Sequence, residues 1–215
     1  KQYWNQTLDN NFVDTVGIAK QCLPHLAHRR LTDLAAHYKL NTEGAHRALF
    51  DCEMNQKVYE YMAKDLEKEC ADYEAKIASY GGIDLFLGGS GVDGHIAFNE
   101  PFTSLTSRTG VRGLTTDTLI VNSRFFGNDP EKVPKKALSV GVGTVCDSKE
   151  VLLVINGHQK ARALRHCIEG GVDQAWTISA LQLHQNAYIA CDEPACGELK
   201  VDTYKFFKEI YKNEK

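Results

Sequence analysis

Apolar and polar positions change period several times along the chain, and the changes mark its elements. Residues 83–87 (IDLFL) form a short apolar run that reads as a buried strand. Residues 138–142 and 187–191 give further runs of this kind, and 151–155 (VLLVI) is the cleanest. Helical spacing governs much of the rest. Residues 51–77 contain neither Gly nor Pro and read as nearly unbroken helix. A helix opens after residues 156–160 and runs through Ile168, where Gly170-Gly171 ends it. Residues 176–183 predict a short helix and 198–211 a closing one. Strands alternating with helices predict an α/β fold: a three-layer, mostly parallel sheet flanked by helices.

Residues 1–64 read differently, as a mainly helical segment. Leu31, Leu34 and Ala35 recur at i, i+3 and i+4, and a turn falls at 41–44. A second amphipathic helix follows over 45–62, with Ala48, Leu49, Cys52, Val58, Tyr59 and Met62 as its expected buried stripe. The expected division is 1–64 and 65–215, with no Gly/Pro-rich linker between the two.

The chemistry concentrates after the 83–87 run. Glycines stand at 88, 89, 91 and 94, where backbone can approach a ligand closely. Asp93, His95, Asn99 and Glu100 follow within a few residues. In open α/β sheets ligands bind beyond the carboxyl ends of the strands, and this loop holds that position. Histidine is the side chain best suited to move a proton near neutral pH, and adjacent carboxylates fix its tautomer. His95 with Asp93 or Glu100 therefore reads as a general acid/base unit. Lys160 at a strand-to-helix junction, Arg124 before a turn, and Arg108 and Arg112 in a polar stretch are candidate anion contacts.

Composition narrows the class. The chain has 215 residues, 43% hydrophobic and 25% charged, with a net charge of −3. That is ordinary for a globular protein and gives no electrostatic case for nucleic acid or an anionic membrane. No apolar run approaches the roughly 20 residues a membrane span needs, and the first residues carry no signal-peptide pattern. Seven scattered cysteines without a C-x-x-C pair predict free, mostly buried thiols in a reducing cytoplasm, and no metal site.

The run GVDGHIAFNEP at 91–101 resembles the signature of the glucosamine-6-phosphate deaminases, the sugar-phosphate isomerase/deaminase family. The likeness extends over about 65–207, through SRT at 107–109, VNSRFF at 121–126, VPK at 133–135, VGVGT at 140–144, GHQKA at 157–161, WTISALQ at 176–182 and ELKV at 198–201. It implies a truncated Rossmann-like fold and conversion of glucosamine 6-phosphate to fructose 6-phosphate and ammonia. It also implies homo-oligomerisation and no metal or organic cofactor. By that resemblance His95 helps open the sugar ring, Asp93 and Glu100 orient it, and Gly89, Gly91, Arg124 and Lys160 hold the substrate and its phosphate. The family also carries a phosphate loop of the form GLPTGGTP and a proton-abstracting aspartate in an FNMDEY stretch, and neither pattern occurs in residues 1–64. Impaired turnover is the expected consequence. Gly110 stands where many members have an allosteric arginine, which puts that regulation in doubt.

Residues 1–64 resemble the end of the DnaQ-like 3′–5′ exonucleases, through VDT at 13–15, the 29–38 helix and the H-x-x-x-x-D pair His46 and Asp51. That resemblance makes His46 a general base and Asp51 a ligand of a Mg²⁺ or Mn²⁺ pair acting on nucleic acid. The D-x-E motif and second aspartate of that family are absent upstream of Val13, so catalysis is not expected there.

Overall fold

Residues 19–20, 23–43 and 48–213 are described by the structure, a computed structural model; the side chains of 48–51 are not among the described parts. The chain divides into two compact units, Lys1–Lys68 and Glu69–Lys215. In the first unit, α1 (Leu31–His37) starts at Arg30, whose backbone N–H donates to the Asp33 carboxylate at 3.0 Å. This returns one of the donors that every helix start leaves orphaned. Leu34 and Ala35 of α1 are fully buried with Met54, Val58 and Met62 of α2 (Ala48–Ser79). These three α2 residues, four apart, share one stripe. The stripe differs from the expected one: Met54 replaces Cys52, which is exposed, and Tyr59 is only half-buried.

The boundary between the units falls within α2. The helix stops at a paired glycine. Gly82 N–H donates to Ile77 O and Gly81 N–H to Ala78 O, both at 3.0 Å, which is a Schellman closure. It requires φ +83° at Gly81, a conformation that favours glycine.

The second unit is built on β1 (Leu85–Gly88), β2 (Gly110–Gly113), α3 (Thr116–Asn122), β3 (Lys136–Ser139), α4 (Val142–Cys146), β4 (Glu150–Ile155), α5 (Ala161–Ile168), β5 (Ala187–Cys191) and α6 (Val201–Asn213). β1, β4 and β5 form a parallel sheet with β4 in the middle. Helices flank it, as the alternation of apolar runs predicts. Val151, Leu153 and Ile155 point to one face and are at most 1% exposed, packed with Leu164, Cys167, Ile178 and Val145. Burial of such side chains stabilises by roughly 1.5–3 kcal/mol each. The opposite face is open. Leu85, Leu87, Val154 and Tyr188 are 49, 63, 50 and 55% exposed.

The run at 138–142 does not join this sheet. Its strand is Lys136–Ser139 and pairs antiparallel with Gly110–Gly113 as a separate ribbon. Val142 instead begins α4. The reason is Gly141, whose Cα lies so close to the Ser107 and Arg108 backbone that a Cβ would strike it. Gly143 N–H donates to Ser107 O and Val142 N–H to the Ser107 hydroxyl, which turns the chain into a helix.

Glu74, on the part of α2 within this unit, ties these pieces together. Its carboxylate accepts from Thr109 N–H at 2.9 Å, the Thr109 hydroxyl at 2.5 Å and the Thr144 hydroxyl at 2.6 Å. Burial alone would raise the Glu74 pKa, but these bonds and the nearby Arg108 hold it below the ordinary range. β1 and β4 run parallel, so the loops after Gly88 and after Ile155 leave the sheet at the same end.

Candidate active site

The loop after β1 is shaped by short-range backbone bonds and one long-range anchor. Gly91 N–H donates to His95 O at 2.9 Å, and Ser90 bridges to Ile96. Gly94 has φ +75°, and a Cβ there would overlap the Trp176 ring, which stacks on His166 at 3.8 Å. Ile178 N–H then donates to Gly94 O, and the Thr177 hydroxyl accepts from Ile96 N–H and donates to Asn99 O. Asn99 is fully buried and donates to Ile96 O and Val140 O. The loop is thus clamped from three sides before any ligand arrives.

These clamps bring Asp93, His95 and Glu100 together. His95 Nδ1 lies 2.7 Å from Asp93 Oδ1 and 3.3 Å from Glu100 Oε2. Nδ1 is thus within reach of both carboxylates, and closer to Asp93. Glu100 is 7% exposed and is held from behind by the Thr115 N–H and hydroxyl, which donate to its Oε1 at 3.0 and 3.3 Å. Burial would raise the Asp93 pKa, but the adjoining His95 outweighs it and holds the carboxyl below its usual value.

That shift fixes a pH dependence. The unfolded chain takes up this proton more readily, so the Asp93 carboxylate stabilises the fold above the ordinary aspartate pKa of about 3.9. The contribution is lost as pH falls through the lower folded value. Acid unfolding followed by circular dichroism should therefore be shallower in Asp93→Asn than in the parent chain between about pH 5 and pH 2. Identical acid transitions would contradict the assignment.

Asp93 and His95 line a cavity of about 450 Å³, within the usual range for small-molecule sites. Gly89 and Gly91 form part of its wall, and Arg124 and Lys160 stand on it too. A side chain at Gly91 would run into Asp93 and His95, so only glycine leaves the pair room. Lys160 closes the His158–Lys160 turn and donates to Ser90 O at 2.5 Å. Burial pushes the Lys160 ammonium below its ordinary pKa; Asp93 opposes this and Arg124 adds to it. Two cations on one wall, one of them disfavoured by burial and by the other, suit an anionic ligand.

Gly89, Gly91, Asp93, His95, Arg124 and Lys160 thus share one cavity wall, while Glu100 adjoins His95 without lining the cavity. Arg108 and Arg112 do not line the cavity. Arg108 pairs with Asp147, and Arg112 donates to Asn99 Oδ1 and Arg108 O. His46 and the Asp51 side chain lie outside the described residues. The sequence reading missed Asp117 and Asn122, both in the cavity wall. A usable signal was present: Thr115 caps α3 by accepting from Thr118 N–H, a helix start just before Asp117. Asp93, His95 and Glu100 also place one ligand atom each within 4.8 Å of one another, a separation that a metal ion could bridge, although two carboxylates around one imidazole serve proton transfer equally.

Residues 34–189 match the family described as glucosamine-6-phosphate isomerases/6-phosphogluconolactonase. The chain belongs to this family. Residues 1–59 match the family described as exonuclease. A glucosamine-6-phosphate deaminase of Phocaeicola vulgatus is 67% identical over 150 residues, which is 70% of this chain and 57% of the relative. Those of Bacteroides thetaiotaomicron and Porphyromonas gingivalis are 63% and 58% identical, over 73% and 78% of this chain and 58% and 65% of their own lengths. A solved structure described as a monomeric glucosamine-6-phosphate deaminase superposes with a TM-score of 0.60 at 44% identity, over 62% of this chain and 55% of the other. The chain therefore spans little more than half the length of these relatives. Among the described residues no helix is long and apolar enough to cross a membrane.

Proposed function

We propose that the cavity binds glucosamine 6-phosphate and carries the ring-opening half of its conversion, with water, to fructose 6-phosphate and ammonia. The observation that carries this reading is the placement of His95 between Asp93 and Glu100 in the same cavity as Lys160 and Arg124. His95 Nδ1 faces the carboxylates, which leaves Nε2 for the substrate. From there the imidazole would move a proton to the ring oxygen, which opens the pyranose, while the carboxylates stabilise the charge it gains and loses. Arg124 and Lys160 would hold the phosphate, and the glycines at 89 and 91 allow the sugar close to the backbone. A bound dianion would also offset the mutual repulsion of these two cations.

Removal of the C2 proton needs a second base. The stretch that supplies it by family resemblance has no counterpart in residues 1–64, so binding should outlast turnover. Isothermal calorimetry with glucosamine 6-phosphate tests the reading directly. Lys160→Ala and Arg124→Ala each remove a charge-assisted hydrogen bond worth roughly 1.5–3 kcal/mol, so affinity should fall about 10- to 100-fold in each. Glucosamine without its phosphate should bind the parent chain more weakly than the sugar phosphate binds either variant, because it lacks both contacts. Equal affinity for the sugar phosphate in all three proteins would show that the phosphate lies elsewhere.

A further inference from the structure

A pair of thiols lies outside the cavity wall. Cys191 ends β5, Cys196 sits in the short helix Pro194–Glu198, and their sulfurs are 3.7 Å apart. Cys191 is exposed and Cys196 half-buried, so small reagents reach the pair. The other described cysteines are in different settings: burial pushes the Cys167 thiol up to about 12, Cys70 is buried, Cys52 is exposed and Cys146 is half-buried.

We propose that Cys191 and Cys196 are a reversible dithiol–disulfide site whose oxidant is a small-molecule disulfide of the glutathione class. The step balances as two exchanges. One protein thiolate attacks the reagent and releases one small thiol; the second attacks the mixed disulfide and releases the other. Both protein sulfurs are oxidised, the reagent's two sulfurs are reduced, and the two protein protons leave with the released thiols. The sulfurs must approach from 3.7 Å to about 2.05 Å, which a turn of this kind can supply by small rotations. Although Cys191 is exposed as a residue, burial of its thiol, the bond with Cys196 and the charges of Asp192 and Glu193 push it up to about 11. The thiolate is therefore scarce at neutral pH, so closure is slow there and accelerates as pH rises.

The site is placed to be felt in the cavity. Between the two cysteines, Asp192 accepts from Gly157 N–H at 2.9 and 3.0 Å through its two oxygens, and from Ala195 N–H at 3.0 Å. Gly157 has φ +87° and begins the turn that delivers Lys160. Joining the sulfurs ties both flanks of Asp192 into one covalent ring, and so restrains the carboxylate that holds this turn. This second part rests on the phosphate-binding role proposed for Lys160; the disulfide itself does not.

The test uses the whole chain, incubated with mixtures of oxidised and reduced glutathione, then alkylated and mapped by mass spectrometry. The expected product is a Cys191–Cys196 disulfide that disappears on adding dithiothreitol and forms faster at higher pH. Stable mixed disulfides with glutathione, or both thiols still open to alkylation, would overturn the proposal. Cys196→Ser should leave Cys191 as a mixed disulfide, which separates a missing partner from a misfolded chain. In the oxidised parent chain the affinity for glucosamine 6-phosphate should change by about fivefold or more, the lower end of typical coupling between linked sites, and in Cys196→Ser it should not. If the parent chain binds the sugar phosphate equally in both states, the link to Lys160 is wrong; if it binds in neither, the phosphate reading fails while the disulfide stands.

Discussion

Replacing His95 with glutamine is expected to lower ammonia release from glucosamine 6-phosphate by about 10²–10⁴-fold, the usual worth of a positioned acid/base group. Glutamine keeps a polar side chain of similar length beside Asp93 and Glu100 but cannot carry the proton. The sugar phosphate should still bind within a few-fold of the parent affinity, because Lys160 and Arg124 are untouched. That split separates proton transfer from a general collapse of the loop. A coupled glutamate dehydrogenase assay at high protein concentration reads the rate, and calorimetry reads the binding. Parent turnover should itself be low. Rates on the order of 10 s⁻¹, typical of metabolic enzymes, would mean that some group within this chain or a partner supplies the C2 base. Equal rates in parent and His95→Gln would remove His95 from the reaction.

The largest expected loss of stability comes from one methyl group. Gly141 has an extended backbone (φ −76°, ψ 166°) that alanine adopts freely, so strain is not the reason for glycine there. Space is. A Cβ at 141 meets the Ser107 carbonyl and the Arg108 backbone, neither of which can rotate away as a side chain would. Moving that segment also stretches the bonds from Gly143 N–H to Ser107 O and from Val142 N–H to the Ser107 hydroxyl. Overpacking costs about 1–3 kcal/mol and each lost hydrogen bond about 0.5–1.5, so Gly141→Ala should destabilise by roughly 2–6 kcal/mol. Gly113→Ala is the control: a Cβ there meets nothing within 4 Å, and the change should be near neutral. Urea unfolding with unchanged slope measures both. A stable Gly141→Ala protein would show that the 107–108 segment can yield.

The parts of the fold that were legible in the sequence are those where one physical term dominates. Residues 151–155 are an unbroken apolar run and form the central strand β4, although only Val151, Leu153 and Ile155 are buried and Val154 faces the open side. The helix over 51–77 follows from absent Gly and Pro, and the structure extends it to Ala48–Ser79. The loop at 88–100 announced itself by glycines and charged residues together. The misreading at 138–142 came from a run that two environments can satisfy. Leu138 is half exposed on a two-stranded ribbon while Val142 is buried at the start of a helix, and the divide between them is set by Ser107, over thirty residues away. The nearness of Cys191 and Cys196 and the turn of Asp117 into the cavity also depend on tertiary placement, which periodicity does not encode. In the first unit Val58 and Met62 lie in the expected stripe, while Met54 takes the place of Cys52, which stands about 200° away around the helix.

The open face of the sheet bears on the thermodynamics of the second unit. Leu85, Leu87, Val154 and Tyr188 keep 49–63% of their surface in contact with water when the unit folds, so unfolding exposes only the remainder. The heat-capacity increment of unfolding tracks newly exposed apolar area, at about 0.45 cal/K/mol per Å². This unit therefore has a smaller increment than its length alone would give, and its stability curve is flatter. It loses less of its stability on cooling than a domain of equal length with both sheet faces sealed.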